Sequence, residues 1–410
     1  MSFVTQLVPR SGTVSVADLT ARLSCPALRL DPFSPDILSF ADQLSRALFR
    51  DAEARSYPEL QSLAFWMRRA ELARLQDDFH GLATERTVLA PRGLVFHVPP
   101  SNVDTLFAYS WMLSLLVGNT NIVRLSTRAA DAASVICRIL NDVLTGVADG
   151  VASANVVVQY GHDDEITAAL SAACDVRVLW GGDASIGQIR RIPIAPHVKE
   201  LTFPDRYSLA AIGATAYLDI DQPTKLDLAR RFYNDTFWFD QVACASPRLV
   251  IWVGDERACE QAARIFYELL AHEVEAKQHT LETAARLRKL SFSYGAILDR
   301  PVSRYEMFGP EVAVLHLDHL RNLDRAHCGG GLLFQVYAPT LEETAPALAR
   351  TDQTLTHFGF ATDELHAFAR RLNGRAVDRL VPVGQALTFN RFWDGYDLLR
   401  EFTRTVYVQP

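Results

Sequence analysis

The chain has 410 residues, of which 49% are hydrophobic and 22% are charged, and its formal net charge is −7. A chain of this length and apolar content can fill two or three domain cores, which excludes wholesale disorder. The acidic balance and the absence of a basic block argue against nucleic acid or an anionic membrane surface as a partner.

The six cysteines lie far apart and form no CxxC pair, so we expect neither a metal site nor a dense disulfide framework. The first residues, MSFVTQLVPRSG, lack the basic and apolar segments of a secretory signal. The most apolar run, around WMLSLLVG, is shorter than the ~20 residues of a membrane-spanning helix. These features predict a reduced, cytoplasmic protein without a resident metal.

Helical periodicity dominates the amino-terminal part, where ADLTARL, ILSFADQLSRALF and ELQSLAFWMRRAELARLQDDF carry apolar residues at three-to-four spacing. From GLVFHV onward, β-rich runs (NIVRLS, ANVVVQY, VRVLW) alternate with helical segments. This alternation predicts a parallel, doubly wound α/β sheet, a fold that binds nucleotides beyond the carboxyl ends of its strands.

A second alternating series follows, with strands SLAAIG, PRLVIWVG, EVAVLHL and GLLFQVYA and with helices LDLARRFYND, ERACEQAARIFYELLAHEV and DELHAFARRL. We therefore predict two doubly wound α/β domains with parallel sheets. Residues 1–204 would hold a helical segment and the first α/β domain, and residues 205–385 the second. Residues 386–410 would return to the first domain or to an oligomer interface, ending in the strand-like RTVYVQP.

Four short motifs carry candidate chemistry, and residue types alone leave each of them open. Cys244 in FWFDQVACASP is either a nucleophile or a small apolar residue in a core. Gly181 and Gly182 in WGGDASIG form either a phosphate-binding turn or a plain connection, because no GxGxxG fingerprint follows any strand. Asn102 in HVPPSNVDTL is a candidate helix cap, and Glu306 in YEMFGPEVAVL a candidate exposed turn residue.

The order of these motifs resembles that of the aldehyde dehydrogenase superfamily. Within it, HVPPSNVDTLFAYSWMLSLLVGNTNIVRLS, FDQVACASP, CGGGLLFQVYAP and TFNRFWDGYDLLREFTRTVYV are similar to the bioluminescence-type long-chain acyl-CoA reductases. The resemblance runs from about residue 85 to the carboxyl terminus. It implies the fold predicted above, with the first domain as the cofactor domain for a nicotinamide cofactor and the second as the catalytic domain with a catalytic cysteine.

The resemblance also assigns roles to individual residues. Cys244 matches the nucleophile, with Cys328 in HCGGG as its one rival, and Asn102 matches the side chain that donates to the oxyanion. Glu306 matches the glutamate that grips the nicotinamide ribose, and Phe308 the ring packed beside it. The Gly181–Gly182 pair takes the place of the pyrophosphate turn.

The cofactor preference follows from the residues after the second strand of the cofactor domain. Arg124 stands where the family has a lysine that touches the adenosine ribose. Three residues on, where NAD-preferring members have a glutamate for the ribose 2′-hydroxyl, this chain has Thr127, followed by Arg128. A carboxylate would repel a 2′-phosphate, whereas threonine beside arginine would accept one, so we expect NADPH.

One departure from the family pattern concerns hydrolysis. Oxidising members carry a glutamate that activates water, and the corresponding stretch here is KELTFPDRYS. The best alignment puts Thr202 at the position of that base and leaves Glu200, the candidate base, two residues early. Weak water activation would slow hydrolysis of an acyl-enzyme and would favour its reduction.

The resulting expectation is NADPH-dependent reduction of an acyl thioester, from acyl-CoA or acyl carrier protein, to an aldehyde. An oxidising aldehyde dehydrogenase is the first alternative, because fold does not set the direction of a reaction. The second is an inactive scaffold subunit of an acyl-transfer complex. An acyl-transferring enzyme is a candidate partner, and a homodimer is the expected assembly.

Overall fold

The computed structural model describes residues 2–99, 105–127 and 131–409. The chain forms two compact units, one of Met1–Pro204 with Phe389–Pro410 and one of Asp205–Thr388. Each unit is built on a largely parallel sheet with helices, so the predicted α/β fold class is confirmed. None of the helices in the described ranges is long and apolar enough to cross a membrane.

The first unit begins with strands and helices in this order: β1 Phe3–Val8, β2 Gly12–Ser15, α1 Val16–Leu23, α2 Pro35–Arg50, α3 Pro58–Trp66, α4 Arg69–His80, β3 Thr87–Pro91, β4 Leu94–Val98, α5 Thr105–Leu116, β5 Thr120–Leu125, α6 Asp131–Leu144, α7 Asp149–Ser153, β6 Asn155–Gln159, α8 Asp164–Ala173, β7 Val176–Trp180, α9 Asp183–Ile189 and β8 Lys199–Phe203.

Its main sheet has the strand order β2-β1-β6-β5-β4-β7-β8, in which β4 to β8 run parallel. Helices α1 to α4 confirm the helical amino-terminal segment, but the periodicity analysis missed the hairpin of β1 and β2 in front of them. β1 adds antiparallel to β6, and alternate residues Val4, Gln6 and Val8 are buried. Only the period of two marks this strand, and six residues are a short run for recognising it.

A buried polar network links the parallel strands β4, β5 and β6 to helix α5. His97 is fully buried; its Nδ1 is 3.1 Å from Ser110 Oγ and its Nε2 is 3.1 Å from Asn121 Oδ1. Asn121 and Trp111 both donate to Asn155 Oδ1, at 3.0 and 2.7 Å. Burial lowers the pKa of His97 to about 4, so the imidazole is neutral at working pH and the network carries no net charge.

The second unit contains β9 Tyr207–Gly213, α10 Ala214–Asp219, α11 Gln222–Phe237, β10 Pro247–Val253, α12 Glu256–Ala276, α13 Thr283–Asp299, β11 Val302–Met307, β12 Ala313–Leu317, β13 Leu332–Ala338, β14 Asp352–Phe358, α14 Thr362–Leu372 and β15 Arg379–Pro382.

The sheet of this unit has the order β11-β12-β13-β10-β9-β14-β15, and only β11 runs antiparallel to its neighbour. Sequence periodicity identified β9, β10, β12 and β13 but missed α13, β14 and β15. Strand β14 reads DQTLTHF, with more polar than apolar residues, yet its first five residues are buried. Asp352 within it is satisfied by Arg325, which donates to both carboxylate oxygens at 2.6 Å. A distant partner makes this polar strand stable in the core.

The chain returns to the first unit and adds β16 Phe392–Trp393, β17 Tyr396–Asp397, α15 Leu398–Glu401 and β18 Thr403–Tyr407. The carboxyl-terminal strand was predicted. It pairs antiparallel with β3, from Thr403 opposite Pro91 to Tyr407 opposite Thr87, as a separate two-stranded sheet. Val88, Val406 and Tyr407 on this sheet are more than half exposed.

Candidate active site

A cleft of about 260 Å³ in the first unit opens where four neighbouring parallel strands end. Val98 ends β4, Ser126 follows β5, Tyr160 follows β6 and Gly181 follows β7, and all four line the cleft. The chain passes from β4 to β5 on one side and returns to β7 on the other, so the cleft lies at the topological switch point. Doubly wound sheets bind nucleotides at this place.

Three of the predicted cofactor residues meet in this cleft: Arg124, Gly181 and Gly182. Gly181 has φ +149°, a conformation that residues with side chains rarely adopt. Gly182 is the residue before α9, with no side-chain cap over the first N–H groups of that helix. Gly181 N–H donates to Phe203 O at 3.2 Å, so Gly182 N–H is the backbone donor of the pair that a pyrophosphate could use.

The Arg124 side chain is fixed against the cleft wall. One guanidinium nitrogen donates to Gly161 O at 3.1 Å, and the group lies 5.0 Å from the centre of the Tyr160 ring. Its Nε is buried without a partner in the described structure. Arg124 thus offers a held positive charge to the cleft. Thr127 is exposed in the turn after β5 and does not line the cleft, and Arg128 lies outside the described residues.

Carboxylates also line this cleft, through Asp163 and Asp164 at the start of α8. The Asp163 carboxylate accepts the Ile166 N–H at 3.0 Å and caps the helix. One oxygen of Asp163 is therefore used to cap α8. The cleft thus carries negative charge from Asp163 and Asp164 on the α8 side and positive charge from Arg124 on the β5 side.

In the second unit, Cys244 lies in a turn between α11 and β10, and we call residues 238–246 the Cys244 loop. Cys244 is half-buried, and its carbonyl accepts from Ser208 Oγ at 2.7 Å. Asp240 and Gln241 have φ +48° and +62°, so the chain turns sharply before the cysteine. Gln241 is fully buried and donates to Pro247 O at 2.9 Å, which closes the loop on itself.

A segment of three glycines, Gly329 to Gly331, passes directly under this loop, and all three have positive φ. Gly330 N–H donates to Asp240 O at 2.8 Å and Gly331 N–H donates to Gln241 Oε1 at 3.1 Å. A Cβ on Gly329 would lie 2.7 Å from Asp240 O. The glycines are therefore required both by the backbone conformation and by close approach to the loop.

Cys244 and its rival Cys328 are both half-buried. Burial raises the pKa of Cys328 to about 11, so its thiol stays protonated at neutral pH. Burial likewise raises the pKa of Cys174 to about 12 and that of Cys259 to about 11. Cys244 is half-buried in a loop that is hydrogen-bonded on several sides, which suits an accessible nucleophile.

The EMFGP segment forms the end of β11 and the turn that follows it. Glu306 pairs opposite Val314 of β12, and its carboxylate, 39% exposed, lies 3.2 Å from Arg304 Nε. Phe308 packs on Tyr267 at 5.4 Å between ring centres and lines a cavity of about 570 Å³. Phe308 N–H donates to Val312 O at 3.0 Å, which closes the turn.

The candidate base Glu200 lies in β8 of the first unit, where two arginines hold it. Arg177 donates to it through Nε at 2.8 Å and through a second nitrogen, and Arg190 Nε lies 2.9 Å away. Arg177 engages Oε2 and Arg190 engages Oε1, so both oxygens of the carboxylate are held in ion pairs. These pairs argue against a role as general base, and Thr202, also in β8, has no basic side chain. Asn102, the predicted oxyanion donor, lies outside the described residues.

The acyl-CoA reductase (LuxC) family model matches residues 70–405, which is most of the chain. The chain belongs to the LuxC acyl-CoA reductase family. The resemblance drawn from the motifs is thereby confirmed, and membership supports an enzyme of the acyl-CoA reductase and aldehyde dehydrogenase type. No curated protein matches the sequence.

Solved structures similar to this LuxC-family chain share its fold at low sequence identity. A mutant of Bradyrhizobium japonicum proline utilization A has TM-score 0.67 and 17% identity, over 96% of this chain and 45% of that protein. Lactaldehyde dehydrogenase has TM-score 0.64 and 16% identity, and the match covers 96% of this chain and 90% of that protein. Aldehyde dehydrogenase 21 from Physcomitrella patens has TM-score 0.65 and 11% identity, and the match covers 99% of this chain and 94% of that protein. The chain thus spans less than half of the proline utilization A protein.

Sequence reasoning missed the residues that hold the Cys244 loop of this family member, namely Ser208, Arg248 and the glycine segment. Arg248 follows Cys244 by four residues in CASPR and could have been singled out by its charge inside an apolar strand. Ser208 gives no local signal, because its bond to Cys244 spans 36 residues.

Proposed function

We propose that this protein reduces an acyl thioester to an aldehyde through an acyl group carried on Cys244, with NADPH as reductant. Family membership over residues 70–405 supports the reaction type. The observation that carries the assignment of the nucleophile is the position of Cys244 in a turn held by Ser208 and Gln241, while the raised pKa of the rival Cys328 keeps that thiol protonated.

In the proposed chemistry, the sulfur of Cys244 first accepts the acyl group and later releases it. The Cys244 thiolate attacks the thioester carbonyl carbon, and the thiolate of CoA or of a carrier protein departs, leaving an acyl-cysteine. Asn102 is proposed to donate to the oxygen that becomes negative during the attack, a contribution worth about 3 kcal/mol in comparable sites. NADPH, when bound, supplies the hydride. The hemithioacetal on Cys244 then collapses, the sulfur leaves as thiolate, and the aldehyde is released.

Each unit carries residues that we propose for the cofactor. In the first unit, Gly182 N–H would donate to the pyrophosphate, and Arg124 offers a charge to the adenosine end. For the second unit, the proposal is that Glu306 accepts from the nicotinamide ribose and that Phe308 packs beside the ring. For Glu306, binding requires a hydrogen bond made alongside its ion pair with Arg304.

The direction of the reaction is tested by following the acyl-enzyme itself. The protein is incubated with a panel of acyl-CoA thioesters of different chain lengths and examined by intact mass spectrometry, with and without NADPH. We expect an acyl adduct that persists without NADPH and is lost as aldehyde at least ~10-fold faster with it, because Glu200 is held in ion pairs and water is poorly activated. Equally fast loss as free acid without NADPH would instead identify an oxidising, hydrolysing enzyme.

The cofactor preference is tested by kcat/KM for NADPH and for NADH. We expect a preference for NADPH, and we expect Thr127→Glu to reduce the ratio at least ~10-fold, because a carboxylate would repel the 2′-phosphate. Thr145→Glu is the matched control, since Thr145 is also an exposed threonine of the first unit but follows α6, at the opposite end of that helix from the turn after β5. A wild-type preference for NADH would overturn the NADPH assignment and leave the nucleophile untouched.

A further inference from the structure

Arg248 is the second residue of β10 and lies directly behind the Cys244 loop. Although it is an arginine, only 2% of the residue is exposed. Its guanidinium donates to Ala243 O at 3.0 Å, the carbonyl immediately before Cys244, and to Arg206 O at 2.7 Å. The side chain therefore ties the loop to the segment that enters β9.

The partners of this guanidinium are backbone carbonyls, which carry no net charge. Among the described residues, no carboxylate lies within ion-pair distance of Arg248, and its Nε has no hydrogen-bond partner. Burial lowers the pKa of Arg248, and the group that opposes this most is Cys244, followed by Tyr207 and Asp205. A buried charge without a counter-ion is costly, so it favours formation of a negative charge nearby.

Two other titratable groups near Arg248 are Tyr207 of β9 and His327, which lies just before the glycine segment. The Tyr207 ring of β9 lies 5.7 Å from the guanidinium, and burial raises the pKa of its hydroxyl, which keeps it neutral. Burial, followed by Arg248 and Arg300, lowers the pKa of His327 to about 4, so this imidazole is also neutral.

The remaining charges near Tyr207 are paired among themselves. Arg300 pairs with Asp324 at 2.6 Å, and Arg325 pairs with Asp352. Asp205 is the remaining acid that acts on Arg248, and it does so more weakly than Cys244. Among these described groups, Arg248 and Cys244 are the pair whose charges can complement each other.

We propose that Arg248 is the positioning residue of the nucleophile, holding the carbonyl before Cys244 and supplying the positive charge that favours the Cys244 thiolate. This inference rests on the proposed function, in which Cys244 is the nucleophile. The same charge serves both halves of the reaction: it increases the thiolate fraction for attack, and it stabilises the sulfur that leaves when the hemithioacetal collapses.

The test is the pH dependence of iodoacetamide alkylation at Cys244, read by peptide mass spectrometry in the full chain. We expect wild-type Cys244 to titrate below the ordinary thiol pKa of ~8.5. Arg248→Met should raise that pKa by about one unit or more, which corresponds to ~10-fold slower alkylation at neutral pH. Arg248→Lys keeps the charge and should stay closer to wild type.

A loss of loop geometry alone is distinguished by Ser208→Ala, which removes the hydrogen bond to Cys244 O without changing any charge. Its rate of alkylation can change, but the pH at its midpoint should match wild type. If Arg248→Met does not fold, the wild-type and Arg248→Lys profiles decide. Titration of wild-type Cys244 at or above ~8.5 overturns the proposal, as does an unshifted profile in Arg248→Met.

Labelling with acyl-CoA separates this inference from the proposed function. Acylation of Cys244 together with an ordinary thiol pKa would support the proposed function and contradict the role of Arg248. A low pKa at Cys244 without acylation by any thioester would support the role of Arg248 and contradict the proposed function.

Discussion

Replacing Cys244 by alanine is expected to abolish both aldehyde formation from acyl-CoA and acyl labelling of the protein. In the proposed mechanism the Cys244 thiolate receives the acyl chain, and alanine offers no atom that could replace it. Loss of a covalent nucleophile typically lowers kcat by a factor of about 10⁴ to 10⁶. The measurements are steady-state NADPH consumption and intact mass after incubation with acyl-CoA.

Cys328→Ala is the matched control, because Cys328 is the other half-buried cysteine of the second unit. We expect it to keep acyl labelling, since burial holds its thiol in the protonated form. Labelling that persists in Cys244→Ala and disappears in Cys328→Ala would transfer the nucleophile to Cys328. Folding of both variants is checked by thermal unfolding.

Replacing Gln241 by alanine is expected to destabilise the second unit by about 2–6 kcal/mol. Gln241 is fully buried, and its amide satisfies two backbone groups: it accepts from Gly331 N–H and donates to Pro247 O. Alanine leaves both groups buried and unpaired, at about 1–3 kcal/mol each. The midpoint and slope of urea unfolding measure the loss.

The control for this change is Gln261→Ala, on the exposed face of α12. There the substitution removes a solvated side chain and adds a good helix former, so we expect a change within about 0.5 kcal/mol. Equal stability of Gln241→Ala and wild type would show that the two hydrogen bonds do not hold the Cys244 loop. A stable Gln241→Ala with impaired acylation would indicate that the amide acts on loop geometry alone.

The parallel sheets of both units could be expected from the sequence, because β-rich runs such as NIVRLS and PRLVIWVG alternate with helical segments. This alternation is visible along the chain without any knowledge of which strands are neighbours. The same reasoning missed β14, whose buried Asp352 is stable only because Arg325 reaches it from 27 residues away. It also missed the β1–β2 hairpin, whose first strand depends on the edge offered by β6.

Short motifs identified Cys244, Glu306, Phe308 and the Gly181–Gly182 turn as candidates, because each motif is contiguous along the chain. The fold brought Arg124 and the two glycines to one cleft, where parallel strands end together. It placed Glu200 between two arginines, a setting that no alignment could reveal.

The surroundings of Cys244 depend on contacts between residues far apart in the chain. Gly331 meets Gln241 across 90 residues, Ser208 meets Cys244 across 36, and Arg248 meets the Arg206 carbonyl across 42. Local sequence sets which atoms can react, through the thiol and its turn-forming neighbours. Whether a thiol is reactive depends on burial and on nearby charge, and both are properties of the folded chain. The motif therefore singled out Cys244 as a candidate, while the buried charge of Arg248 became visible only from the packing of β10 against the segment that enters β9.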